Sequence, residues 1–196
     1  MSLVVERVEG GAIERHLPAL AELRIGVFRE FPYLYAGSLE YERNYLAHYA
    51  TSPAAVVVIA RDGERVVGAA TGMPLAASAD DVREPLTAAG YDPARLFYFG
   101  ESVLDRAYRG RGLGNAFLAE REAHARAHGM SVAAFCAVVR PADHPARPAD
   151  YRPLDGLWTK HGFVRRPDIT ATFSWRDHDE PAESPKPMVF WTKELR

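Results

Sequence analysis

The chain has 196 residues, enough for one well-buried domain and short for two, and it reads as a single domain over 1–196. Its 24 basic and 26 acidic side chains leave a net charge of -2, which gives no overall argument for nucleic acid or an anionic membrane as a partner. The single cysteine, Cys136, excludes an intrachain disulfide; with no signal-peptide pattern and no apolar run long enough to span a bilayer, the sequence reads as cytoplasmic.

In chain order, "LVVERV" (3–8) alternates like a short strand. From His16 to Phe28, Leu17, Leu20, Leu23 and Val27 recur at helical spacing. "FREFPYLYAG" interrupts with Pro32 and Gly37. Ser38 then caps a second helix, with Glu40 and Glu42 in its first turn and Tyr41, Tyr45 and Tyr49 on one face, ended by Pro53. "AAVVVIA" (54–60), the Asp62-Gly63 turn and "RVVGAATG" (65–72) predict a hairpin. "ASADDVREPLTAAG" (77–90) predicts a short irregular helix. "LFYFGESVL" (96–104) is a strong strand. A helix over Leu113–His128, closed by Gly129, precedes the strand "SVAAFCAVV" (131–139). After the proline-rich 140–153 come the short helix "LDGLWTKHG" (154–162) and two last strands, "ITATFSW" (169–175) and "PMVFWTKEL" (187–195). Strands outnumber helices and include hairpins, so the fold class is mixed α/β.

Between the 96–104 strand and the 113–128 helix lies "YRGRGLGNAFLAE" (108–120). Glycines before a helix let the backbone approach an anion, and the helix start offers free N–H groups and a partial positive charge. Arg109 and Arg111 add full charges. No lysine is near, so this is not a Walker loop. The G-x-G-x-G spacing and the upstream hairpin fit a dinucleotide loop poorly. Leu113, Ala116, Phe117, Ala123 and Ala127 are expected to face inward.

Arg109-x-x-Gly112-x-Gly114, after a hydrophobic strand and opening a helix, resembles the signature of the GNAT superfamily of acyl-CoA-dependent N-acyltransferases. "LWTKHGF" (157–163) is similar to that family's late helix ending in Gly-Phe, and the element order agrees over nearly the whole chain. The resemblance implies a mostly antiparallel seven-stranded sheet splayed between strands four and five, flanked by about four helices. It implies acetyl-CoA as co-substrate and no metal. The pyrophosphate would sit on Arg109, Gly110, Arg111, Gly112, Leu113, Gly114 and Asn115, and the pantetheine arm on the backbone of Ser102, Val103 and Leu104. It also implies a monomer or homodimer acting on a small-molecule amine. An acyl-CoA sensor without catalysis and a protein or peptide N-acetyltransferase are the alternatives.

Acyl transfer to an amine needs the amine neutral, so a base is useful. Glu101 is the candidate. Strict alternation puts it among Phe97, Phe99 and Val103, while a bulge at Gly100 would redirect it, and an ion pair with an arginine is the structural alternative. Where the family often carries an acidic tyrosine, this chain has Trp158; Tyr151 is the substitute acid candidate. Cys136 in "AAFCAVV" reads as core, and His124 and His128 lack a carboxylate companion for metal. For the acceptor, the candidates are Phe28, Arg29, Phe31, Tyr33 and Arg140, with Tyr35, Arg24, Glu30, His144 and the acidic loop of Asp177, Asp179, Glu180 and Glu183 nearby.

Overall fold

A computed structural model describes residues 3–196. Seven strands, β1 (Leu3–Glu9), β2 (Val56–Asp62), β3 (Arg65–Pro74), β4 (Leu96–Leu104), β5 (Val132–Val138), β6 (Val164–Trp175) and β7 (Ser184–Glu194), form one sheet in the order β1-β2-β3-β4-β5-β7-β6. All neighbours are antiparallel except β4 and β5. Among the described residues there are five α-helices: α1 (Leu17–Phe28), α2 (Leu39–Thr51), α3 (Asp80–Ala88), α4 (Leu113–Ala127) and α5 (Asp155–Lys160). No helix among the described residues is long and apolar enough to cross a membrane.

Local chemistry sets several boundaries. The Ser38 hydroxyl accepts the Tyr41 N–H and caps α2. Gly63 takes φ 59° in the β2–β3 turn, as the Asp-Gly pair requires. β6 begins five residues before the expected Ile169. Pro167 cannot donate to the ladder, and the chain accommodates it with a register shift between Arg166 and Thr170 rather than a strand end.

The sheet is covered on both faces. α4 packs Leu113 and Phe117 against Val56, Val58, Phe97 and Phe99. On the other face α1 and α2 pack Leu20, Leu46 and Tyr49 against Val57, Ile59, Ala69 and Val103. α3 joins a third cluster through Val82 and Leu86, with Tyr98, Cys136 and Phe190. Each fully buried aliphatic or aromatic side chain contributes about 1.5–3 kcal/mol.

Two sequence expectations change here. First, β4 does not alternate strictly. Ala70 pairs with Ser102 but Gly72 with Phe99, so β4 carries one extra residue. The bulge flips the phase: Phe97 and Phe99 face α4, whereas Val103 faces α1 and α2, and Glu101 goes with it. Second, Ala123 and Ala127 of α4 are exposed, while Arg121, Glu122 and His124 are buried. Helical phase outweighs polarity because each polar group finds a partner. Arg121 reaches the carbonyls of Thr71 and Glu101, Glu122 meets Lys193, and His124 donates to the Ala54 carbonyl.

Candidate active site

The splay is real and short-ranged. β4 and β5 pair only from Leu96 to Tyr98 against Val132 to Ala134. Beyond that point β4 continues to Leu104 with its β5-facing edge without a strand. Residues Ser102, Val103 and Leu104 lie on this stretch, and an amide-bearing chain can add to such an edge. At the vertex the Tyr98 hydroxyl stands 3.2 Å from Cys136 Sγ. Burial pushes the Cys136 thiol up to about 12, so it remains a thiol and packs as a small hydrophobe.

β4 leads into the glycine loop. Gly110 and Gly112 take φ 76° and 83°, conformations in which a Cβ is strained. Gly112 is the residue before α4 and offers no side-chain cap, and the first turn holds no acidic residue. Among the described residues, the amides of Gly110, Arg111, Gly112, Leu113 and Gly114 donate to no protein acceptor; Asn115 N–H is the first to be taken, by the Gly112 carbonyl. Five successive free donors at a helix start present a partial positive charge, an arrangement chemically suited to an anion. The arginine side chains brace this loop. Arg109 donates to the Leu104 carbonyl and pairs with Glu30 at 2.8 Å. Arg111 donates to the Ala107 carbonyl and lies over the Tyr108 ring. Asn115 accepts from His161 and so ties α4 to the end of α5.

Across the sheet, Glu101 lies in a buried charge cluster. Arg24 bonds Glu42 through Nε and stands 2.6 Å from Glu101 Oε1 through Nη1. Its guanidinium is flanked by the rings of Phe28 and Tyr45, 5.0 and 4.4 Å away. Burial works against this charge, but Glu101, then Tyr45 and Glu42, outweigh it and hold the Arg24 pKa above its usual value. Tyr45 donates to Glu101 Oε2 at 3.1 Å, and Tyr49 lies 3.2 Å from Tyr45 as the donor of that pair. Burial first, then Glu101, raises both phenol pKa values, so both stay protonated donors. The ion-pair alternative weighed for Glu101 is therefore present. The tyrosine face of α2 was legible, but its partner was not, because the β4 bulge decides which way Glu101 points.

The acceptor candidates fall into two groups. Phe28 and Tyr33 pack as tilted rings at 4.6 Å, and Tyr33 reaches Trp175 at 5.9 Å. Phe31 meets the Tyr151 ring edge-on at 4.7 Å and the His144 ring at 5.7 Å. Burial raises the Tyr151 pKa, which makes it a poorer proton donor. Arg29 is exposed. Arg140 is taken up by the protein: it donates to the carbonyls of Pro32 and Tyr33 and pairs with buried Asp177. It latches the α1–α2 loop to the β6–β7 hairpin; within the acidic loop Asp177 is buried and, with half-buried Glu180, meets Lys186, whereas Asp179 and Glu183 are exposed. Trp158 is packed on Phe135 and Trp191 at 4.9 and 5.1 Å, a half-buried indole against the aromatic core. Among the described residues no group of three or more His, Cys, Asp or Glu side chains could hold a metal ion.

The acetyltransferase (GNAT) family profile matches residues 20–163, which include the bulged β4, the glycine loop and the late Gly-Phe. The chain belongs to the GNAT acetyltransferase family. A search of curated protein sequences gives no match. Among solved structures the chain is similar to YncA from Salmonella typhimurium, solved with its cofactor acetyl-CoA. The identity is 15%, the TM-score 0.64, and the match covers 100% of this chain and 95% of that one. A ribosomal-protein-alanine N-acetyltransferase from Brucella melitensis aligns at 17% identity and TM-score 0.64, over 98% and 99% of the two chains. An N-acetyltransferase from Staphylococcus aureus aligns at 14% identity and TM-score 0.64, over the whole of both. At these identities the likeness is one of fold, and the splayed β4–β5 pair is part of this GNAT fold.

Proposed function

We propose that the protein moves an acetyl group from acetyl-CoA directly to a primary amine of a small molecule, within a ternary complex. The observation that carries this reading is the row of five unpaired amides at the mouth of the splay, beside the open edge of β4. The diphosphate fits that row, with Arg109 to Asn115 framing it. The pantetheine arm fits the backbone of Ser102 to Leu104, like an added strand. Acetyl-CoA supplies an activated thioester; the protein supplies position, a dry site and a route for the proton.

Glu101 is assigned the base. In the transfer, the amine nitrogen bonds to the thioester carbonyl carbon and the C–S bond breaks. The proton leaves the nitrogen for Glu101, directly or through a water, and the sulfur departs as thiolate. A thiol pKa near ~8.5 lets it leave without an acid, which suits the absence of a tyrosine at position 158. Tyr45, braced by the Tyr49 hydroxyl, holds Oε2 of Glu101 while Arg24 holds Oε1, so the carboxylate is fixed in one orientation. Tyr151 is reassigned from acid to acceptor wall, on its raised pKa and its contact with Phe31. Compartment and oligomeric state play no part in this reading.

The test is thiol release from acetyl-CoA over a panel of amines, comparing wild type with Glu101→Gln. The expected result is amine-dependent release that falls about 100-fold or more in the variant, the range for a general base. Unchanged turnover in a folded Glu101→Gln protein removes Glu101 from the mechanism. No release with any amine, together with tight acetyl-CoA binding, makes the protein a sensor.

A further inference from the structure

The 140–154 segment contains a cation that the rest of the molecule does not neutralise. Arg147 is half-buried, yet its guanidinium makes no ion pair or hydrogen bond among the described residues. It stands over two aromatic faces, Tyr151 at 5.0 Å and Phe31 at 6.0 Å from the ring centroids. Of the neighbouring cations, Arg140 is latched to Asp177, Arg109 to Glu30 and Arg106 to Asp150, while Arg29 and Arg152 are exposed to solvent, so Arg147 alone of this group is both half-buried and unpaired among the described residues. A planar guanidinium fixed on two rings, with its edge free, matches a carboxylate bidentately.

A second donor stands beside it. Residues 144 to 147 form a tight turn, with Arg147 N–H bonded to the His144 carbonyl. Within it the Ala146 N–H donates to His144 Nδ1 at 3.2 Å. Nδ1 therefore carries a lone pair, and the ring proton sits on Nε2, which has no protein partner. The His144 ring leans on Phe31, the same ring that Arg147 covers. Two unpaired donors thus converge on one aromatic platform.

That platform belongs to the acceptor side. Phe31 lies on the α1–α2 loop with Phe28 and Tyr33. Phe28 touches the Arg24 guanidinium that holds Glu101, and the Tyr33 phenol feels Cys136, Tyr151, Arg24 and Glu101. Two aromatic groups thus border the site, Phe28 with Tyr33 beside Arg24 and Phe31 with Tyr151 beside Arg147, and the Tyr151 phenol is near enough to add to burial and Cys136 in raising the pKa of Tyr33. We propose that Arg147 and His144 recognise an anionic group on the acceptor, so that the acceptor is an amine that also carries a carboxylate. Its amino end is held toward Glu101 and its carboxylate by Arg147. The proposal rests on the acetyl-transfer reading for the amine end and on the unpaired Arg147 and His144 for the anionic end.

The experiment uses matched probes: L-phenylalanine, L-methionine and L-glutamate, each beside the amine left by removing its α-carboxylate. Binding is read by calorimetry in the presence of CoA, and transfer by thiol release. Wild type is expected to favour the carboxylate-bearing member of a pair by about 10- to 100-fold, the worth of one charge-assisted contact. Arg147→Gln is expected to erase that preference through KM, leaving kcat and acetyl-CoA binding unchanged, and Arg147→Lys to restore part of it. Equal use of both members by wild type, or equal losses on both in Arg147→Gln, overturns the proposal. So does a loss in Arg147→Gln confined to CoA against dephospho-CoA, which would give the arginine to the donor's phosphate. An Arg147-dependent preference in binding with no transfer would sustain this inference and sink the acetyl-transfer reading.

Discussion

Gly100→Ala tests whether the β4 bulge is packed as described. A Cβ at this position would stand 2.1 Å from Tyr49 Oη and 2.6 Å from Thr71 Oγ1. Neither neighbour has room to move: Tyr49 is buried, and Thr71 Oγ1 accepts the Glu101 N–H. Overpacking of this kind costs about 1–3 kcal/mol. Displacing Tyr49 also breaks its bond to Tyr45, at about 1 kcal/mol. Reduced freedom of the unfolded chain returns about 0.4–1 kcal/mol. The net loss is about 1–3.5 kcal/mol, or roughly 2–14 °C in Tm for a chain of this length. The assay is thermal unfolding followed by circular dichroism. Gly26→Ala serves as the control, because nothing lies within 4 Å of its Cβ and it sits inside α1; it should gain up to about 1 kcal/mol. A Gly100→Ala protein as stable as wild type would refute the bulge geometry, and with it the placement of Glu101.

Arg24→Leu strands the buried carboxylates of Glu42 and Glu101 and should cost about 3–5 kcal/mol in urea unfolding. Adding Glu42→Gln and Glu101→Gln should recover most of that loss. On acidification, Glu180 gives a definite sign. Its bond to Lys186, then the Asp177 N–H and Ser184, lowers its pKa to about 2 in the folded protein. The unfolded chain therefore takes up the proton first. The stabilisation is complete above about pH 4.5 and is lost as pH falls toward about 2, so thermal scans of wild type should fall more steeply across that window than those of Glu180→Gln. Gly112→Ala meets no atom within 4 Å but must adopt φ 83°, which costs about 1–2 kcal/mol and distorts the amide row. Acetyl-CoA affinity should fall in calorimetry with little change in fold.

Much of the fold was legible because its signals are local. The β4 bounds, the Ser38 cap and the positive-φ turns at Gly63, Gly112, Gly129 and Gly162 follow from residue type and neighbours alone. The row of unpaired amides before α4 was legible for the same reason: glycines, a helix start and a missing acidic first turn are adjacent in sequence. The acceptor side was not. Whether Glu101 faces apolar rings or Arg24 depends on one inserted residue in β4, visible only against β3. Arg140 read as a substrate handle until Asp177, on another hairpin, occupied it. The burial of Arg121 and Glu122 in α4 runs against polarity and is set by partners on distant strands. Ala123 and Ala127 misled because apolar type was read ahead of helical phase.

The central claim is that the amides of Gly110 to Gly114 hold the diphosphate of acetyl-CoA. It is tested most directly by calorimetric titration of the wild-type protein with acetyl-CoA and, separately, with acetyl-pantetheine, which keeps the thioester arm and lacks the diphosphate. Two or more charge-assisted amide contacts predict that acetyl-CoA binds about 100-fold tighter or more. Equal affinity for the two would contradict the claim and leave the glycine loop an ordinary strand-to-helix turn.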